Sequence, residues 1–173
     1  MKKSAIQSIP QFFDRYIHLV KEDDLSDAFV TSRKELTQID LSFLKRIGDL
    51  TYAPDKWTVK DIFQHIIDNE RIQSYRAMRI ARLDPTTLPG YDENVWADHA
   101  YASRRTLEEL VQELTLLRTA TEVLYQSLEP STLVHNGTCF NQQISALALG
   151  FVIVGHQTHH LNIIRERYVP LVA

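Results

Sequence analysis

The sequence predicts an all-α four-helix bundle, and three observations carry that prediction. Long segments place apolar residues at three- and four-residue steps, the period of a helix buried along one stripe. Two of these segments open on capping boxes, Thr58-Val59-Lys60-Asp61 and Thr106-Leu107-Glu108-Glu109, where a hydroxyl and an acid three residues apart satisfy free amides at the helix start. The connections hold prolines, glycines and asparagines, which end helices. At 173 residues, with 44% hydrophobic and 24% charged, the chain suits one domain, 1–173, with its core at about 9–168. It shows no internal repeat and no low-complexity stretch.

Taken in order, Pro10 suits a first helical turn, and Phe12–Val20 reads as a small amphipathic helix lying across the body of the protein. Asp23-Asp24 put acids at the start of a longer helix, as the helix dipole favours. Leu25, Phe29, Leu36, Ile39, Phe43, Ile47 and Leu50 mark its apolar face, and Gly48 and Pro54 bracket its end. The helix opened by Thr58 buries Val59, Ile62, Phe63, Ile66 and Ile67 and ends before Asp84-Pro85. Residues 84–105 form a long connection with one helical turn around Asp92–Ala97; loops of this length often line a site. The helix opened by Thr106 carries Leu107, Leu110, Leu114, Leu117, Thr121, Leu124 and Leu128 on its stripe, with Glu and Arg on solvated faces. Residues 129–144 include the turn dipeptide Asn136-Gly137 and fit a small excursion or short hairpin. A final helix runs from about Ser145 to Tyr168, stopped by Pro170.

Charge and cysteine content remove several classes of function. A net charge of -3, with basic residues spread among acids, gives no footprint for nucleic acid. No apolar stretch reaches the length of a membrane span and the first residues lack a signal-peptide core, so a cytoplasmic protein without membrane contact is expected. A single cysteine, Cys139, excludes an internal disulfide and any cysteine-based zinc motif.

What remains is histidine. The apolar run Ile144–Val154, broken only by Ser145, leads into Gly155-His156-Gln157-Thr158-His159-His160. Leu149, Ile153, His156, His160, Ile163 and Arg167 fall on one stripe, so two imidazoles one turn apart sit where this helix meets its neighbours. His159 falls in line with Gly155, Asn162 and Glu166, on the wetter face. A buried charged imidazole is costly, which favours a neutral pair sharing one task. His-x-x-x-His can hold one cation through both rings, although Gln157 stands where a zinc protease has its general-base glutamate. A third ligand is needed, and His65, beside an apolar helix face, is the best candidate; taken alone, a hydrogen-bonded core histidine is its plainer reading. Three neutral imidazoles plus water make an open site, and donor softness favours zinc, nickel or iron(II) over magnesium or calcium. A metal so held lowers the pKa of a bound water or thiol. Asp68, Glu70, Asp92 and Glu93 are possible general bases, with no catalytic residue assigned. His18 and His135 read as surface residues, Trp96, Asp98 and His99 as anchors of the 84–105 loop, and Cys139 as an inert thiol.

Trp57-Thr58-Val59-Lys60-Asp61-Ile62-Phe63-Gln64-His65-Ile66 resembles the Trp-Ser-Val-Lys-Glu-x-x-x-His-Leu signature of the DinB/YfiT-like superfamily. Gly155–Tyr168 looks like that family's C-terminal metal helix, and Leu88-Pro89-Gly90-Tyr91-Asp92-Glu93 is similar to a loop of one branch. The likeness spans Ile9 to Tyr168. It implies an up-down-down-up bundle, a homodimer, and a divalent metal, zinc or nickel first, on His65, His156 and His160, with His159 outside the ligand set. It further implies a thiol S-transferase acting on small-molecule electrophiles with a low-molecular-weight thiol. The alternatives are a metal-dependent hydrolase, or a non-catalytic stress or binding protein whose structural metal takes His99 or Glu70 as a closing fourth ligand.

Overall fold

A computed structural model describes residues 1–172. Its α-helices are α1 (Asp14–Ile17), α2 (Leu25–Thr37), α3 (Leu41–Ile47), α4 (Val59–Ala81), α5 (Glu93–Ala100), α6 (Leu107–Ser127) and α7 (Ala146–Ile163). A hairpin, β1 (Asn136–Cys139) against antiparallel β2 (Gln142–Ser145), leads into α7, which continues as a π turn over Ile164–Tyr168. Both capping boxes form: Thr58 with Asp61, and Thr106 with Glu109. The expected four-helix bundle is built from α2, α4, α6 and α7, with α6 and α7 each packed against both α2 and α4. Among the described residues, no helix is long and apolar enough to cross a membrane.

Several elements differ from expectation, each for a local reason. The helix expected from Asp23 to Leu50 is two, because Asp40 starts a new one: its Oδ1 accepts from Phe43 N at 2.9 Å and from Ser42 Oγ at 2.5 Å. The turn around Asp92 is instead the eight-residue α5, with Asp92 Oδ1 capping the amides of Asn94 and Val95. The hairpin turns at Phe140-Asn141, both at positive φ (49° and 59°), and not at Asn136-Gly137. Gly137 lies within β1, where a Cβ would come 2.4 Å from Ile80 Cγ1, so close packing on α4 is what requires glycine there. The first helix is reduced to the single turn α1, and it does lie across α7 as expected. Gly155 is buried under it and not on a wet face: a Cβ on Gly155 would stand 1.9 Å from the Tyr16 carbonyl oxygen.

The core divides into two apolar clusters. One joins Ile17, Phe29, Ala77, Tyr125 and the first half of α7. The other joins Leu36, Ile67, Leu114, Leu161 and Tyr168. Each bundle helix passes from one cluster to the other, and at each crossing it carries buried polar residues: Ser32 on α2, Glu70 on α4, Arg118 and Thr121 on α6, Gln157 on α7. Arg118, expected on a solvated face, is fully buried. It donates to Glu70 through Nε at 3.0 Å and Nη2 at 2.8 Å, and through Nη1 to Ser32 Oγ. Thr121 Oγ1 donates to Glu70 Oε1 at 2.8 Å, and Gln157 Nε2 to Ser32 O at 2.9 Å. A carboxylate so enclosed depends on its cation.

Arg118→Met should therefore cost about 3–5 kcal/mol of stability in urea denaturation, because it strands the Glu70 charge. The double variant Glu70→Met/Arg118→Met should recover much of that loss.

Candidate metal centre

His65 lies on α4, seven residues past the Thr58 cap, where the helix has turned its face to α7. His156 and His160, one turn apart on α7, meet it there. His65 Nε2 is 3.0 Å from His156 Nε2, and His160 Nε2 is 3.2 Å from the same atom. The ligating atoms of the three all lie within 4.8 Å of one another. Two contacts thus converge on one nitrogen, which has a single N–H or a single lone pair to offer. Hydrogen bonding among the three rings cannot satisfy both contacts, whereas a central electron-pair acceptor satisfies all three. Nitrogens about 2.0–2.1 Å from a tetrahedral zinc are roughly 3.3 Å apart, within a few tenths of an ångström of the two pairs that share His156 Nε2, and the third pair lies within 4.8 Å. The residues present fit a divalent cation.

Burial keeps their lone pairs free. Desolvation, helped by His159, pushes His65 down to about 4. Desolvation, then the other histidines and Arg15, pushes His160 down to about 2 and holds His156 well below its ordinary range. All three are neutral at neutral pH. The Trp57 ring packs 4.7 Å from that of His65 and the edge of Tyr16 5.2 Å from His156, which fixes two of the imidazoles in place. His160 Nδ1 is buried without a partner, so no second hydrogen bond steers that ring.

His65 and His156 open onto a pocket of about 100 Å3, whose wall includes Tyr16, Asn69, Arg76, Tyr91 and Glu93. The 84–105 connection supplies Tyr91 and Glu93, so it lines a site as its length suggested. The candidate bases separate by position. Glu70 is committed to Arg118, Asp92 caps α5, and Asp68 accepts from Gln64 at 3.0 Å beside a smaller cleft; Glu93 shares the pocket with the histidines. His99 stands exposed on α5 with its Nδ1 2.7 Å from Val95 O. Neither it nor Glu70 closes the cluster, and among the described residues no other His, Cys, Asp or Glu joins the three histidines. His159 is half-buried against Tyr16, outside the cluster as expected. His18 and His135 are exposed, and Cys139 is buried. Sequence reasoning missed Tyr16, Asn69, Arg76 and Tyr91. For Asn69 and Arg76 a signal existed, since both follow His65 at helical steps as polar residues on a face that turns inward.

The neutral imidazoles also set the pH response of the metal-free protein. In the unfolded chain they take up protons near their ordinary pKa of about 6.5; in the folded chain they resist. Below that pH the unfolded state binds more protons, so stability falls as pH is lowered, and for His65 the loss continues to about pH 4. Between pH 6 and 5 the loss should approach about 1.4 kcal/mol per pH unit for each histidine, and it should vanish above pH 7.5. Urea titrations of metal-stripped protein should show this slope, made shallower by His156→Ala.

Known proteins resemble this chain in sequence and in fold. A protein of Bacillus mycoides (strain KBAB4), named as a candidate metal-dependent hydrolase, is 27% identical over 163 residues, covering 91% of this chain and 87% of that protein. The solved structure of YfiT from Bacillus subtilis is described as a candidate metal-dependent hydrolase with an unusual four-helix bundle topology. It matches with a TM-score of 0.65 at 18% identity, over 95% of this chain and 91% of the other, which is a likeness of fold. The model of the DinB superfamily matches residues 14–164, and with the bundle and histidines now in place, the chain belongs to that superfamily.

Proposed function

We propose that the chain is a metal-dependent hydrolase in which His65, His156 and His160 hold a divalent transition metal through Nε2. The observation that carries this reading is the convergence of three neutral imidazole nitrogens beside a pocket that also contains a carboxylate, Glu93. The names of both relatives speak for hydrolysis, and neither speaks of the thiol transfer implied by the sequence resemblance. A purely structural metal called for closure by His99 or Glu70, and both are engaged elsewhere. Imidazole donors favour zinc or nickel among the divalent ions.

When bound, such an ion acts as a Lewis acid and makes a nucleophile available at neutral pH. The chain's own residues supply the rest. Glu93 is placed to accept a proton at the pocket, near enough for its charge to act on both Tyr16 and Tyr91. Burial holds those two phenols protonated, as donors. Tyr91 Oη accepts from Asn69 Nδ2 at 2.9 Å, which leaves its own O–H free for a substrate oxygen. Phe13 and Tyr16 wall the pocket on the α1 side.

Elemental mass spectrometry on untagged protein should find a near-stoichiometric transition metal that is lost in His160→Ala. If neither protein retains metal after incubation with zinc and nickel, the reading fails. Against a panel of small esters and amides, Glu93→Gln should keep its metal and lose about 100- to 10,000-fold in kcat.

A further inference from the structure

Two arginines are buried in this bundle, and they are treated differently. Arg118 has the Glu70 carboxylate. Arg76, only 4% exposed and lining the pocket beside the histidines, has no carboxylate within ion-pair distance among the described residues. Its Nη1 donates to Gln73 Oε1 at 3.2 Å and its Nη2 to Pro89 O at 2.5 Å. A guanidinium carries five N–H groups, so most of its donor capacity is unspent. The groups whose fields reach it, the Cys139 thiol and the Tyr91 phenol, are both kept protonated by burial and bring no negative charge. An enclosed cation without a counter-ion is costly, and the open side of this one is the pocket. Seven residues earlier on α4, the Asn69 side chain gives its Nδ2 to Tyr91, while its Oδ1 is buried with no partner.

We infer that the pocket takes a small organic carboxylate, its anionic end held by Arg76, a hydrogen-bond donor on its body meeting Asn69 Oδ1, and its reacting end at the histidines. This rests on the histidine cluster being the reacting centre. His65, Asn69, Gln73 and Arg76 follow one another at helical steps along α4. The rise from His65 to Arg76 is roughly 16 Å, and a helical arginine leans back toward the N-terminus, so anchor and centre stand on the order of 10 Å apart. That span selects an elongated molecule. Phe12, Phe13 and Phe140 in the same wall suit an apolar body. The planar fork of arginine matches a carboxylate, and the Glu93 carboxylate in the same wall opposes a dianion such as a phosphomonoester.

The test is an NMR titration following the Arg76 Nε–Hε resonance, identified by its absence in Arg76→Met, on metal-free and zinc-loaded protein. The probes are hippurate, its neutral amide hippuramide, and phenyl phosphate. Hippurate should shift the resonance in both forms and bind at least tenfold more tightly than hippuramide. That preference should disappear in Arg76→Met, whose melting temperature reports that it folds. Equal binding of acid and amide, no shift by hippurate, or tighter binding of phenyl phosphate would each overturn the inference. Hippurate bound only with zinc, and equally by Arg76→Met, would put the carboxylate on the metal and also overturn it, leaving the metal centre intact. Protein that takes no zinc yet shows the Arg76-dependent preference would sink the hydrolase reading and leave the anion subsite standing.

Discussion

The bidentate Glu70–Arg118 pair is the constraint to which the rest of the bundle conforms. It lies where every bundle helix changes from one apolar cluster to the other, with Ser32 and Thr121 completing its hydrogen bonds. Apolar ridges tolerate sliding by a turn; a buried ion pair does not, because a slip of α6 along α4 strands both charges. The pair therefore ties the axial register of the helices to their burial. Gln157 extends the tie to α7 through its bond to the Ser32 carbonyl, and His156 is the next residue. The alignment of His65 on α4 with His156 and His160 on α7 follows from that register.

The polar layer and the histidine cluster are solved by opposite means. In the layer, charge meets charge, and the hydrogen bonds of Arg118 and Glu70 are made within the chain. In the cluster there is no acid, and burial, helped by the neighbouring histidines and Arg15, keeps the imidazoles neutral. Unspent hydrogen-bonding and ligating capacity, at the three Nε2 atoms, Asn69 Oδ1 and the Arg76 guanidinium, is gathered along one face of α4 and the adjoining turn of α7. The mid-plane charges are thus paired within the chain, although Gln157 Oε1 is left without a partner there, while the Arg76 charge and Asn69 Oδ1 at the pocket wall are not matched by the chain.

Much of this was legible in the sequence because it is local. Capping boxes, apolar stripes and the His-x-x-x-His step depend on residues within a turn of each other, and they placed α4, α6 and α7 and the pairing of His156 with His160. His65 was reachable because its helix face could be read, though not its distance to α7. The failures are of two kinds. The break at Asp40 and the turn at Phe140-Asn141 were local but outweighed: a continuing apolar stripe hid the first, and the stronger dipeptide Asn136-Gly137 hid the second. The burial of Arg118 was not local at all. An arginine on a leucine-rich helix reads as solvated until its partner, 48 residues away in the chain, is known.

Gly155 sets how the pocket is walled. With no side chain there, α1 rests backbone against backbone on α7, at the Tyr16 carbonyl. The docking of α1 is thereby uncoupled from the side chains it turns outward. Phe12, Arg15 and their neighbours hang from a mount whose fit depends on main-chain atoms, while Phe13 and Ile17 pin it from below. One turn of chain works as an interchangeable faceplate: its outward residues can be redrawn, and the shape of the cavity with them, while the bundle, its ion pair and the histidines behind it keep their places.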